Sequence, residues 1–281
     1  MVTRVTNFQT TSAFINQIFE LRGSLDKARD EVGTGFKITN PSDDPANAAV
    51  IAQFQSTIQR LTRQKERIAS ATGFLETQEG LLNSAESLML RAREIGTQAA
   101  NETMSPELRA TLATEVFQLR DTMVALANNK YQGAYVYGGL ADNTAPFGES
   151  TYVEPVDPND PASERWIASN ADGADQTRTV ALSDFDSVRV NTVGSTVFSN
   201  AISSLERLGR ALSGYRTTPE DLSTLPTGAG TTFNFPAEYT EQTQAILAAT
   251  DAVENARDND IVRERTSVGS RLSRVSTAGK L

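Results

Sequence analysis

The sequence predicts a mainly α protein, a long antiparallel helical rod carrying a small β-rich inserted domain. Three observations predict it. Apolar residues recur at heptad spacing towards both ends of the chain. Helix caps and prolines bracket those stretches. Seven of the ten prolines fall between Ala141 and Thr240, which fills the middle with loops and short strands. The expected segments are a terminal coiled-coil helix (1–35), the first part of the rod (36–145), a β-rich outer domain (146–198) and the returning part of the rod (199–281).

Taken in order, Phe14, Ile18, Leu21, Leu25, Ala28 and Val32 step by four, three, four, three and four, a heptad seam. Charges of both signs (Glu20, Arg22, Asp26, Lys27, Arg29, Asp30) fill the rest of that helix. A lone helix cannot bury such a stripe, so the seam is the candidate assembly interface. Gly23 inside it costs roughly 1 kcal/mol relative to Ala. Gly33 and Gly35 suit a left-handed helix stop. Asn40, Pro41, Ser42, Asp43, Asp44 and Pro45 then form a hinge and helix cap, with an extended Asn40-Pro41 pair, Asp44 as N-cap and Pro45 at the first helical position.

From Pro45 to about Ala100 the pattern predicts one helix, roughly 80 Å long at about 1.5 Å per residue. Phe54, Ile58, Leu61, Ile68 and Leu75 mark its face. So do Phe74, Leu81, Leu88 and Ile95, with Ala85, Ala92 and Ala99 between them. Ser105-Pro106-Glu107 starts a third helix, which runs through Leu112, Val116, Leu119, Met123 and Leu126 to Asn128-Asn129. Tyr131 to Phe147 reads as a hairpin or ordered loop. Strand candidates are Thr151–Glu154, Arg178–Leu182 and Ser187–Val193. Ser199 or Asn200 caps a helix through Ile202, Leu205, Leu208 and Leu212, closed by Gly214. A last helix spans about Pro236 to Val275, its apolar residues Ile246, Val253, Ile261, Val268, Leu272 and Val275 mostly seven or eight apart.

Composition narrows the chemistry. A formal net charge of −9 argues against a generic nucleic-acid binder. With no Cys and no His, disulfides, thiolate chemistry, imidazole bases and the usual zinc ligands are excluded. No run of about 18 apolar residues points to a membrane span, and the N-terminus lacks the apolar core of a cleavable signal. Asp43-Asp44, and Asp157 with Asp160, could meet a cation but read as caps and turns, with no EF-hand spacing. Glu76, Glu79 and Glu86 read as a solvated helix face rather than an acid–base pair. Neither YGG at Tyr137–Gly139 nor TGAG at Thr227–Gly230 has the lysine of a phosphate loop. The basic residues at 263, 265, 271, 274 and 280 read as a helix face meeting acidic neighbours, with a membrane or nucleic-acid patch as the other possibility. No catalytic, cofactor or metal site is expected.

GFKITNPSDDPANAAV (Gly35 to Val50) resembles the motif after the first helix in the hook–filament junction family, hook-associated protein 3, of the flagellin superfamily. LRDTMVALANNKYQGAYVYGGLADNTAPF (Leu119 to Phe147), VRVNTVGSTVF (Val188 to Phe198) and SVGSRLSRV (Ser267 to Val275) resemble its later segments, in the same order. The resemblance implies a non-catalytic structural subunit of the extracellular bacterial flagellum. Its chains would stack as a ring, terminal helices inward and β-domain outward. Its partners would be copies of itself, another hook-associated protein, flagellin and a type III export chaperone, with no nucleic acid or membrane. Export through the flagellar channel agrees with the missing signal. The family's C-terminal region continues for several tens of residues beyond the SVGSRL-like motif, where the family's chaperone contact usually maps. This sequence stops at Leu281, so residues 1–35 are expected to protrude as a detached helix or to pair with another chain. Filament-forming flagellin is the alternative within the superfamily. Outside it, the alternative is a stalked adhesin or enzyme acting through residues 141–200.

Overall fold

A computed structural model describes residues 7–38, 44–149, 166–169, 171–183, 185–214 and 237–280. The chain forms two compact units, Met1–Arg63 and Gln64–Leu281. The first holds helix α1 (Asn7–Thr34) and the start of α2 (Pro45–Ala99), whose remainder belongs to the second. α1 stops where expected: Gly35 takes a left-handed φ of 71° and its N–H donates to Glu31 O. Asp44 caps α2, its carboxylate accepting the Asn47 N–H at 3.1 Å. Of the hinge residues, Asn40, Pro41, Ser42 and Asp43 lie outside the described residues.

The second unit is an antiparallel bundle of α2, α3 (Pro106–Ala127), α4 (Gly194–Ser213) and a last helix made of α5 (Ala237–Ala256), a π-turn (Arg257–Val262) and α6 (Arg263–Ala278). Ser105 caps α3, and the Glu107 carboxyl is held below its usual range by its own backbone N–H and by the Ser105 hydroxyl. The buried row of α2 is Ile68, Leu75, Leu82 and Met89, with Ala71, Ala85, Ala92 and Ala99 between them. Ile68 and Leu75 of this row were expected, as was the fully buried Ile95, whereas the expected Phe74, Leu81 and Leu88 sit one residue away, half-buried against the core. Alanines dominate the second row because the neighbouring helix comes close there. A Cβ on Gly96 would fall inside contact distance of the Thr250 hydroxyl.

α4 begins at Gly194, about five residues before the expected Ser199 or Asn200 cap, with Val193 as an N-cap that lends no side-chain bond. The chain there is pinned instead by its backbone, since Gly194 N–H donates to Tyr137 O and Val193 bridges Gly138. Val197 and Phe198 are buried on the same face as Leu205 and Leu212, so apolar burial extends the helix backwards. Gly214 closes it in the left-handed conformation, as expected.

Among the described residues the β-rich part consists of two-stranded antiparallel ribbons rather than one sheet. β1 (Lys130–Tyr131) pairs with β2 (Ala134–Tyr135) across a Gln132-Gly133 turn with both φ positive, the geometry that hairpin twist requires. β3 (Phe147–Glu149) pairs with β4 (Trp166–Ala168), and β5 (Thr179–Ala181) with β6 (Ser187–Arg189). The Thr151–Glu154 candidate lies outside the described residues, and the Ser187–Val193 candidate is shortened to three residues.

Polar links fix the bundle's partners. Arg109, fully buried, donates to Gln242 Oε1 (3.0 Å), Thr243 Oγ1 and Asn101 O, tying α3 to α5. Arg120 of α3 pairs with Glu206 of α4, both buried, and Arg210 holds the other Glu206 oxygen at 2.9 Å. Glu264 of α6 pairs with Arg271 and accepts the Thr192 hydroxyl at 2.7 Å, which docks the end of the β6 segment on α6.

Candidate assembly interface

α1 carries the expected seam entirely on its surface. Phe14 is 64 % exposed, Val32 is 86 % exposed, and Ile18, Leu21, Leu25 and Ala28 are exposed between them. Burying an apolar side chain of this size is worth about 1.5–3 kcal/mol, so the stripe is a large unclaimed driving force for association. It is also wider than the heptad reading. Ile15 and Phe19 are exposed too, at about 100° and 140° around the helix from Phe14. α2 continues the theme with exposed Val50, Ile51, Phe54, Ile58 and Leu61. The same helix switches to a buried face from Ile68 onwards.

The sequence signals for these added residues were in plain view, an apolar residue beside a seam residue and a heptad run through α2. What the spacing could not say was which stretch of α2 is covered. Around the stripe the chemistry is bland. Ser24 and Thr34 return their hydroxyls to carbonyls one turn back, at Glu20 and Asp30. The Asp44 carboxyl at the α2 cap is held below its usual range, chiefly by the Asn47 side-chain amide and then by its N–H.

The other sequence candidates do not converge on a reactive centre. Glu86 pairs with Arg265 at 2.6 Å, a link between α2 and α6. Of the basic C-terminal residues, Arg274 pairs with Asp186 and Arg271 with Glu264, so acidic partners on the same unit take them up. Asp157, Asp160 and the TGAG stretch lie outside the described residues. Among the described residues no group of three acids is placed to hold a metal ion, and no helix is long and apolar enough to cross a membrane. A hollow lined by Tyr137, Thr144, Pro146, Ser169 and Gly194 has about 10 Å³, room for roughly one water.

An exposed apolar first helix, a capped loop and a long second helix lead into the bundle. Residues 6–141, which span those elements, match the bacterial flagellin N-terminal helical region. That match covers 136 of the chain's 281 residues, just under half. Among curated relatives, the flagellar hook-associated protein 3 of Escherichia coli K12 is 34 % identical over 127 residues, covering 44 % of this chain and 39 % of that protein. The flagellar filament 41 kDa core protein of Borreliella burgdorferi is 26 % identical over 166 residues, covering 57 % and 49 %. The chain thus matches less than half the length of these two curated relatives. Two solved structures share the fold. One is a putative flagellar hook-associated protein from Vibrio parahaemolyticus (TM-score 0.62, 16 % identity, 86 % of this chain and 93 % of that one). The other is the flagellar junction protein FlgL from Legionella pneumophila (TM-score 0.59, 17 % identity, 81 % and 99 %). Together the matches support hook-associated protein 3 of the flagellin family, with a helical bundle and a small β-rich part.

Proposed function

We propose that this chain is a non-catalytic structural subunit of the extracellular bacterial flagellum, joining hook to filament as a ring of copies. The observation that carries the reading is the unburied apolar stripe on α1, continued along the start of α2, in a flagellin-family segment. Such a stripe needs helical partners, and a coiled-coil contact with neighbouring subunits supplies them. The partners on this reading are copies of the chain, another hook-associated protein and flagellin, with a type III export chaperone before assembly. On this reading Phe14, Ile18, Leu21, Leu25, Ala28 and Val32 form the assembly seam, and the Asn40 to Pro45 motif serves as hinge and helix cap. The test is to incubate the purified chain with isolated hooks and image the ends by electron microscopy. Density capping the hooks supports the proposal, and bare hooks beside monomeric protein count against it.

Filament-forming flagellin is the second reading, favoured by the match to a filament core protein. Copy number separates the two: a ring's worth per flagellum for a junction subunit, thousands for a filament subunit.

A further inference from the structure

The last helix carries one residue more than the helix it packs against. Its buried seam is Ile246, Val253, Ile261, Val268 and Val275, all fully buried, with steps of seven, eight, seven and seven. In a regular α-helix seven residues fall about 20° short of two turns, whereas eight overshoot by about 80°. An uninterrupted α-helix would therefore turn Ile261 about 80° away from Val253, and Val268 and Val275 would return by only about 20° each.

The contacts count the same surplus independently. Gly96 of α2 lies against Thr250, and Ile68 lies against Gly279, where a Cβ would sit 3.2 Å from Ile68 Cγ2. Between those levels α2 spends 28 residues and its antiparallel partner 29. Where the surplus falls, the helix widens into the π-turn Arg257–Val262. Both sides of the turn are anchored. Arg93 pairs with Glu254 before it, and Arg265 pairs with Glu86 after it. Within it Asn259 is exposed, while Asp260 accepts the Asn200 amide at 2.9 Å and Ile261 is buried.

We propose that this π-turn is a phase-compensating joint. It absorbs a removable residue, so that two separately anchored sections keep their heptad phase along α2, and the long helix yields there first. One section is α5 with α3 and α4, tied through Arg109 to Gln242. The other is α6 with the β5–β6 ribbon, tied through Glu264 to Thr192 and Arg189. A π-turn trades hydrogen-bond geometry for the extra residue and is the usual form such an accommodated insertion takes in a helix. The inference rests on packing within the second unit alone, so its failure leaves the flagellar reading untouched.

The experiment compares two single-residue deletions in the full chain. Deleting Asn259 removes the surplus and leaves both anchored sections in place. Deleting Asp251, also exposed but in regular α-helix, rotates the stretch from there to the π-turn by about 100° and so breaks the packing of the end of α5. The Asn259 deletion is expected to melt at least about 10 °C above the Asp251 deletion. In the intact chain the amides of 257–262 are expected to exchange at least about tenfold faster than those of α5 and α6, and the Asn259 deletion to abolish that difference. Equal melting of the two deletions overturns the proposal. So does exchange at 257–262 as slow as in the flanking helices.

Discussion

Replacing Gly96 by alanine tests the close approach of α2 to Thr250, because its effect has the opposite sign to the same change at Gly80 on the same helix. A Cβ at Gly96 would lie 3.1 Å from both Cβ and Cγ2 of Thr250 and closer still to its hydroxyl. Thr250 is buried and donates that hydroxyl to Ile246 O at 2.7 Å, so it cannot swing away without losing a bond. Overpacking of this kind costs about 1–3 kcal/mol, set against about 1 kcal/mol gained when alanine replaces a helical glycine. The net is a loss of about 0–2 kcal/mol. At Gly80 nothing lies within 4 Å of the added methyl, so Gly80→Ala gains about 1 kcal/mol. The two variants should differ by about 1–3 kcal/mol, read as about 2–4 °C of melting temperature per kcal/mol for a unit of this size. Thermal unfolding followed by circular dichroism measures it, and Thr250→Ala should restore part of the loss in Gly96→Ala. If Gly96→Ala stabilises the chain as much as Gly80→Ala does, α2 and α5 do not pack at that level and the bundle geometry is wrong.

Gln78 occupies the alanine row of α2 fully buried, and neither polar atom of its side chain has a partner among the described residues. Gln78→Leu should therefore stabilise by about 1–2 kcal/mol, seen as a higher urea midpoint with unchanged slope. Arg120→Met strips Glu206 of one of two cations inside the α3–α4 contact, and a loss of about 3 kcal/mol in the same titration is expected. Burial pushes the Tyr137 phenol well above its ordinary 10.0. The unfolded chain then releases that proton first, so stability is full below pH 10 and falls as pH rises beyond it. The loss relative to Tyr137→Phe should total about 1.4 kcal/mol between about pH 9 and 11, measured by unfolding at each pH.

Much of the fold was legible because local chemistry marks helix ends. Gly35, Asp44-Pro45, Ser105-Pro106 and Gly214 each stop or start a helix where the side chains say they should. The start of α4 was not legible, because a backbone bond from Gly194 to Tyr137, some 57 residues earlier in the chain, does the work a capping side chain does elsewhere. On α2 the expected Ile68, Leu75 and Ile95 are buried, whereas Phe74, Leu81 and Leu88 are half-buried beside Leu75, Leu82 and Met89, which keep the same period, and period alone cannot choose between adjacent faces. The eight-residue step from Val253 to Ile261 was visible as spacing, yet only its partner helix shows that a π-turn must absorb it. Along α1 the heptad spacing marks the seam, whereas its widening by Ile15 and Phe19 shows in their exposure, which none of the described residues of unit one removes.

The central claim is that the bare ridge on α1 exists to be covered by neighbouring flagellar subunits. Co-sedimentation with purified hooks tests it most directly, comparing the chain with a Leu21→Asp/Leu25→Asp variant whose second unit melts unchanged. The unaltered chain should pellet with hooks and the variant should stay in the supernatant. Equal pelleting of the two would contradict it.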